Sequence, residues 1–430
     1  MNEQLIKDYI ASFRFREFGD IIERELKVRV VNDKAVTIIG PRRSGKTFFF
    51  FSLISKLERE DVLYLEFEEP FLKNISAEVA LKIVLKIYPS IFKKAPGYIF
   101  LDEIQNLSSW ESFVRSLLNR GFKVFLTGSS SKLLSKEIAT QLRGRTLTYL
   151  LLPFSFREFL RAKKVETEVN LLSNVGKILS YLSDYLEWGG FPEIVLKEEK
   201  EKILKEYVDL AFYKDFVERH EIKSLHLASL LFNHILQNFS NEFSVKSIAK
   251  KIKSEGLKFN INTLYRYVEC LEDTLFVFFL KKYSAKAHLR EGWPRKIYIC
   301  DNGLVKVLKF FEDLGKLLEN TVFLELLRKT NENPLLEIYY FKDYQQHEID
   351  FLIKEGLRIK QLIQVSYANN FDEIDPREWR SLIKAYNLFK KDKPELIIIT
   401  WDYEDEKELT WFGKKGKIKF IPLWKWLINL

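Results

Sequence analysis

The sequence predicts an α/β protein whose N-terminal part is built on a parallel sheet carrying a phosphate loop. Three observations carry that expectation. Between residues 35 and 152, short apolar runs (AVTIIG, DVLYLEF, YIFLDE, KVFLTG, LTYLLLP) alternate with helical patterns, as strands buried on both faces of a parallel sheet do. The first run leads into a glycine-bracketed stretch, GPRRSGKT, that opens a helical pattern. The chain, at 430 residues, also exceeds one ordinary core, so about two to four domains are expected.

Composition narrows the class. The chain is 47% hydrophobic and 30% charged, the balance of a globular protein with material for several cores. The start, MNEQLIKDYI, is polar and mixes acids with lysine, unlike a secretory signal. No apolar run approaches the ~18 residues that cross a bilayer, so a cytoplasmic protein without membrane attachment is expected. Cys270 and Cys300 are the only cysteines, and the five histidines are scattered, which argues against a zinc site or a disulfide framework.

Gly40, Pro41, Arg42, Arg43, Ser44, Gly45, Lys46 and Thr47 fit GxxxxGK[ST]. Glycines let the backbone curl so that its N–H groups converge on phosphate oxygens. Lys46 brings a point charge to the β and γ phosphates, and the Thr47 hydroxyl is a magnesium ligand. Phe48 belongs with the loop, because the helix it enters aims its N-terminus at the same anion. The implied cofactors are ATP and Mg2+. Further on, YIFLDE places Asp102 and Glu103 at the end of a buried strand. Asp102 would stand beside the magnesium and Glu103 would polarise an attacking water. The run VFLTGSSS ends a third strand in hydroxyl residues, making Thr127 or Ser129 a candidate contact to the γ-phosphate or the water.

The phosphate-loop helix begins with four phenylalanines. Phe50, Leu53, Ile54 and Leu57 follow the i, i+3, i+4, i+7 spacing and are expected to pack on the sheet. Phe48, Phe49 and Phe51 are left over, and cover from a helical lid, the C-terminal segment or a partner subunit is expected for them.

Residues 153–222 read mostly as helix, with a turn at Trp188-Gly189-Gly190-Phe191-Pro192. Residues 223–295 read as three helices followed by two strands. The stretch SVKSIAKKI has apolar residues at 245, 248, 249 and 252, and Asn262 is the expected N-cap of a helix whose core face is Leu264, Val268 and Leu271. With LFVFFLKKYS and KIYICD as a wing, this is a winged helix-turn-helix, exposing Thr263, Tyr265 and Arg266 on the recognition helix. From Ser244 to Lys296 there are twelve Lys/Arg against five Asp/Glu. That charge fits a phosphate-backbone footprint on double-stranded DNA, with Lys250 and Lys251 in it. The alternative is a purely structural or protein-contacting winged helix.

In residues 296–430, QHEIDFLI followed by LIQVS resembles the PD-(D/E)xK nuclease pattern, in which acids on adjacent strands and a lysine converge on a metal. Asp350 fits the first strand, and Glu319 or Glu325 would be the further acid. Gln364 stands where the second acid belongs and Ser366 where the lysine belongs. A restriction-endonuclease-like fold with lost or weak cleavage is therefore expected.

The phosphate loop, LDEIQ, LTGSSS, LRGR, LLPFSFREF and YLEWGGFPE together resemble the archaeal and bacterial AAA+-like ATPases that carry a C-terminal domain related to PD-(D/E)xK nucleases. The resemblance implies an ATPase core over residues 1–152, a helical lid over 153–222 and a winged helix behind it. It also implies that Arg143 and Arg145 face a γ-phosphate, in cis or from a neighbouring subunit, unless they are surface charge. Gly190-Phe191-Pro192 resembles a turn that sets a proline, here Pro192, near adenine; the alternative is an ordinary turn. The function expected is a magnesium-dependent ATPase coupling nucleotide state to DNA or a protein partner, with a homo-oligomer compatible. The alternative is a slow nucleotide-gated switch acting through protein contacts. An ATP-driven nuclease is disfavoured by Gln364 and Ser366.

Overall fold

The computed structural model describes residues 3–73, 75–129, 142, 144–165, 175–292, 294–307 and 313–429. The chain divides into two compact units, Met1–Leu152 and Pro153–Leu430.

In the first unit the five apolar runs become β1 (Ala35–Ile39), β2 (Val62–Glu66), β3 (Tyr98–Asp102), β4 (Lys123–Gly128) and β5 (Thr146–Leu150). They form one parallel sheet in the order β2-β3-β4-β1-β5. Every residue of β1 is buried, which is why the strand reads as a continuous apolar run. Helix Trp110–Asn119 crosses from β3 to β4 and buries Trp110, Phe113, Val114, Leu117 and Leu118. Because β1, β3 and β4 run parallel, with β4 between the other two, the loops leaving all three strands emerge side by side at one edge of the sheet.

Helix Lys46–Ile54 leaves β1 directly. Phe50 and Ile54 are fully buried, and Phe50 meets Phe100 and Phe125 edge-on, with centroids 5.1 and 6.5 Å away. The cover expected over the remaining phenylalanines has a different source. Phe49 and Phe51 are buried within the first unit by its own core, to which helix Glu3–Phe13 and the segment after it contribute Phe13, Phe18, Ile21, Leu26 and Val28. Phe18 stacks on Phe51 at 4.3 Å. Phe48, also expected to be covered, is 54% exposed. Sequence periodicity identifies the sheet-facing side of a helix but not which distant segment covers the other.

In the second unit, β6 (Glu242–Phe243), β7 (Val277–Leu280) and β8 (Arg295–Ile299) form an antiparallel sheet in the order β6-β8-β7. Helix Leu225–Gln237 precedes β6, and helices Val245–Ser254 and Ile261–Asp273 lie between β6 and β7. The last helix starts earlier than expected. Its N-cap is Asn260, whose side chain accepts from the Asn262 N–H at 2.9 Å, and Asn262 lies inside the helix. The expected boundary between residues 295 and 296 falls within β8, whose pairing with β6 and β7 keeps Lys296 in the three-stranded sheet.

Helix Leu314–Glu332 leads into β9 (Leu336–Lys342), β10 (Glu348–Glu355), β11 (Arg358–Val365), β12 (Glu395–Thr400), β13 (Asp405–Trp411) and β14 (Lys414–Pro422). The order is β13-β14-β12-β11-β10-β9. β9, β10 and β11 pair antiparallel, whereas β11-β12 and β12-β14 are parallel. Helix Pro376–Leu388 makes the crossover from β11 to β12 and buries Leu382, Ile383 and Ala385 against the sheet.

Two motifs in this unit have local explanations. Ser155 accepts from the Glu158 N–H at 3.1 Å while Glu158 accepts from the Ser155 N–H at 3.0 Å, so SFRE is a capping box that starts helix Phe156–Ala162. Gly189 sits at φ 76°, and a Cβ there would stand 1.6 Å from Asp301 Oδ1. Asp301, just after β8, accepts from Gly190 N at 2.6 Å and Gly303 N at 2.9 Å. Gly189 therefore admits the buried Asp301 side chain, and Gly190 admits the Phe154 carbonyl, 2.3 Å from where its Cβ would stand. Among the described residues no helix is long and apolar enough to cross a membrane.

Candidate functional site

The loop after β1 is shaped by backbone conformation. Gly45, the N-cap of the following helix, has φ 94°, and Arg43 has φ 68°. Left-handed residues set among right-handed ones turn successive N–H groups inward into an anion-binding concavity. Gly40 is required sterically, since a Cβ would stand 2.1 Å from the Leu151 carbonyl. Pro41 and Ser44 are buried, and the Ser44 hydroxyl has no hydrogen-bond partner among the described residues. Arg42 pairs with Glu68 at 3.3 Å, and Arg43 is exposed. Arg24, which no motif singles out, braces the loop. Its guanidinium donates to Ser44 O at 2.9 Å and to Leu152 O at 2.6 Å.

Lys46 is 5% exposed and donates to Gly40 O and Pro41 O, each at 3.1 Å. Its ammonium is 3.7 Å from Glu103. Thr47, Asp102, Glu103, Thr127 and Ser129 come together from the loop helix and the ends of β3 and β4. Thr47 Oγ1 donates to Asp102 Oδ2 at 2.7 Å. Thr127 Oγ1 donates to Asp102 Oδ1 and accepts from Glu103 N at 2.9 Å. Glu103 itself has φ 51°, and its carboxylate accepts from Gln105 and, at 3.3 Å, from Ser129.

Tyr64 on β2 was missed by motif reading; its hydroxyl donates to Asp102 Oδ2 at 2.8 Å. The signal was faint, a tyrosine in an apolar strand that becomes β3's neighbour only in the folded sheet. Asp102 is thus held by three hydroxyls. Burial, and the adjacent Glu103 charge, push its carboxyl above the usual range, while the three hydrogen bonds pull it back. A buried carboxylate so arranged is the kind of group a divalent cation stabilises. The glycine-shaped cradle and the orphaned Ser44 hydroxyl likewise fit a polyphosphate.

Residues 32–160 match a family model described as an AAA domain. Residues 179–314 and 314–425 match two domains of unknown function, DUF8612 and DUF4143. The uncharacterized protein MJ1544 of Methanocaldococcus jannaschii is 39% identical over 416 residues, covering 95% of this chain and 91% of that protein. The chain belongs to the MJ1544 family. An uncharacterized Haemophilus influenzae protein is 28% identical, covering 91% of this chain and 94% of its own. Among solved structures, a DNA polymerase III gamma-subunit-related protein of Thermotoga maritima is 14% identical with a TM-score of 0.25, over 64% of this chain and all of that one.

For this MJ1544-family chain, the other predicted residues divide clearly. Arg143 lies outside the described residues. Arg145 precedes β5, whose register pairs Ala35 with Thr146 and Ile39 with Leu150. It therefore sits at the end of the sheet opposite the phosphate loop, roughly 16 Å along the strand, hydrogen-bonded to Asn119. That position excludes the expected contact in cis. Pro192 is the first residue of helix Pro192–Leu196 in the second unit, directly after the turn that Asp301 anchors.

Lys250 and Lys251 are exposed on one face of helix Val245–Ser254. On helix Ile261–Asp273, Thr263 and Tyr265 are half-buried and Arg266 is exposed. Arg266 also donates to His220 O at 3.2 Å. That helix carries Glu269, Glu272 and Asp273 against one arginine, so the positive charge of the segment resides on the neighbouring helix and on the β7–β8 connection.

Of the two acids proposed on helix Leu314–Glu332, Glu319 approaches Asp350 and Glu325 does not. Glu325 is buried between Arg157 at 2.6 Å and Arg328 at 2.9 Å. Asp350 lies at a bulge where the β10–β9 register shifts by one residue. Its carboxylate accepts from Val365 N at 3.0 Å, and its own N–H donates to Gln364 Oε1 at 3.3 Å. Ser366, beside Glu378, is buried. The cation among these groups is Lys296, from β8, which no local spacing revealed. Its ammonium lies 3.0 Å from Glu319, 2.8 Å from Glu348 and 2.8 Å from Asp350.

Proposed function

We propose that this protein is a magnesium-dependent, ATP-binding ATPase whose nucleotide state is coupled to DNA or a protein partner. The observation that carries the reading is the convergence of Lys46, Thr47, Asp102 and Glu103 beneath one glycine-shaped loop. In this reading the loop N–H groups and Lys46 hold the β and γ phosphates. Thr47 and Asp102 hold the magnesium, with Thr127 and Tyr64 fixing the Asp102 carboxylate. Bound Mg2+ supplies charge neutralisation at the phosphates. Glu103 orients and deprotonates water once it leaves Gln105, Ser129 and Lys46. A further, arginine contact to the γ-phosphate would come from Arg143, in cis or from another subunit, or from Arg145 of another subunit.

The second unit is read as a helical lid, a winged helix-turn-helix and a nuclease-like scaffold without cleavage activity. The order helix–strand–helix–helix–strand–strand, with the short helix Ala287–Arg290 between the last two strands, and the exposed Lys250 and Lys251 support DNA contact through phosphates, with Thr263, Tyr265 and Arg266 nearest the bases. Charge reversal at Lys250 and Lys251 should flatten the salt dependence of DNA affinity by about two counterions' worth of slope. An unchanged slope would contradict DNA contact there.

A slow switch signalling through protein contacts is the second reading. It is favoured by the Glu103 side chain being engaged on three sides. Tight binding of a fluorescent ATP analogue, lost in Lys46→Ala, is expected under both readings. Turnover stimulated by DNA supports the first, and binding without turnover supports the second. An analogue bound equally by wild type and Lys46→Ala would contradict both.

A further inference from the structure

Lys296 is 2% exposed, in a strand whose other buried residues are Ile297, Tyr298 and Ile299. A lone buried ammonium would be strongly destabilising, so what surrounds it must account for it. A lysine ammonium has three N–H donors, and three carboxylates lie within 3.0 Å of this one: Glu319, Glu348 and Asp350. They come from helix Leu314–Glu332 and from β10, so the lysine ties the three-stranded sheet to the six-stranded one. The carboxylates are themselves fixed by further partners. Tyr298 donates to Glu319 at 2.6 Å, Lys342 lies 3.1 Å from Glu348, and Val365 N donates to Asp350 at 3.0 Å.

This geometry differs from both arrangements that hydrolytic chemistry would require. A lysine that assists phosphodiester cleavage must direct a donor at the scissile phosphate, but all the donors of Lys296 are matched by protein carboxylates. A divalent metal needs the point on which the oxygens converge, but that point is filled by Nζ. Among the described residues, no three His, Cys, Asp or Glu side chains are arranged to hold a metal ion. Gln364 and Ser366 extend the argument, since neither replaces the missing acid or adds a second cation.

We propose that the Lys296 ammonium is the resident cation of the Glu319–Glu348–Asp350 cluster, standing where a divalent metal would otherwise be held. The native cluster is then a metal-free structural knot joining two sheets, and the ammonium is what keeps it closed to Mg2+ or Mn2+. Burial works against the charge on Lys296, yet Asp350, Glu319 and Glu348 outweigh it and hold the ammonium protonated well above its ordinary range. The inference does not rest on the ATPase reading, because the cluster lies wholly within the second unit.

Mn2+ binding to the full nucleotide-free chain, followed by the loss of the free-ion electron paramagnetic resonance signal, tests this directly. Wild type and Asp350→Asn should give the same isotherm. Lys296→Met, which keeps the stem but removes the charge, should gain one site at least tenfold tighter than any wild-type binding that depends on Asp350. That site should vanish in Lys296→Met/Asp350→Asn. Wild type binding one Mn2+ more than Asp350→Asn would overturn the proposal, whether or not the methionine variant folds. So would a folded Lys296→Met that gains no site, or Mn2+-dependent DNA cleavage by wild type that Asp350→Asn abolishes.

Discussion

Replacing Gly189 by alanine separates a steric cause from a conformational one. Gly189 and Gly256 both lie in the second unit with positive φ, 76° and 87°. Alanine at either position costs about 1–2 kcal/mol for its left-handed backbone. At Gly256 a Cβ meets nothing within 4 Å, so that cost is the whole effect. At Gly189 the Cβ would stand 1.6 Å from Asp301 Oδ1 and 2.4 Å from its carboxyl carbon, so Asp301 must move. Moving it abandons the N–H groups of Gly190 and Gly303, which it accepts at 2.6 and 2.9 Å. Each buried N–H left unpaired costs about 1–3 kcal/mol. Gly189→Ala should therefore be destabilised by about 2–6 kcal/mol more than Gly256→Ala, the sum of two such losses. Urea unfolding followed by tryptophan fluorescence suits the test, because seven of the eight tryptophans lie beyond residue 152. Equal unfolding midpoints for the two variants would refute the assignment of Asp301 as the anchor of the turn.

In the first unit, Phe50→Ala should lose about 3–5 kcal/mol as a fully buried aromatic, whereas Phe48→Ala, at 54% exposure, should stay within about 0.5 kcal/mol of wild type; thermal unfolding reads both, and equal losses would contradict the packing described. The pH dependence of the second unit has a definite sign. Burial pushes Asp301 up to about 7 and Glu378 up to about 8, from 3.8 and 4.5. Each acid that stays protonated in the fold after its unfolded counterpart ionises costs up to about 1.4 kcal/mol per pH unit. Stability should thus be highest in mild acid, fall as pH rises from about 4 to about 7–8, and level off above; Asp301→Asn should lessen the slope below pH 7, and an unchanged slope would contradict the burial argument. Tyr64→Phe should keep the fold but weaken Mg2+-dependent nucleotide binding about tenfold, the ~1.4 kcal/mol of one charge-assisted hydrogen bond, with nucleotide binding in EDTA unchanged; equal effects with and without Mg2+ would assign Tyr64 a structural role only.

Much of the phosphate site is legible because its chemistry is local. Eight consecutive residues curl into the loop, and strands that end in Asp-Glu and Thr-Gly-Ser carry their polar groups at the point where a buried strand meets the surface. What escaped depends on contacts between distant parts of the chain. Arg24 and Tyr64 reach the site only once the sheet orders β2 beside β3 and the N-terminal segment folds behind the loop. Arg145 was implied by the family resemblance, but strand direction sets it at the far end of β5. Glu319 and Glu325 are six positions apart on one helix, which puts them on different faces and into separate ion-pair networks. Lys296 precedes Asp350 by 54 residues and sits on another sheet, so no motif window contains both. The one available signal was a lysine inside the strand run RKIYI, a charge where the pattern calls for an apolar side chain.

ATP hydrolysis in the presence of Mg2+ tests the central claim most directly, with wild type, Lys46→Ala and Glu103→Gln compared side by side. The account predicts turnover by wild type, loss of both binding and turnover in Lys46→Ala, and retained binding with turnover reduced at least a hundredfold in Glu103→Gln. Identical turnover by all three proteins would contradict it.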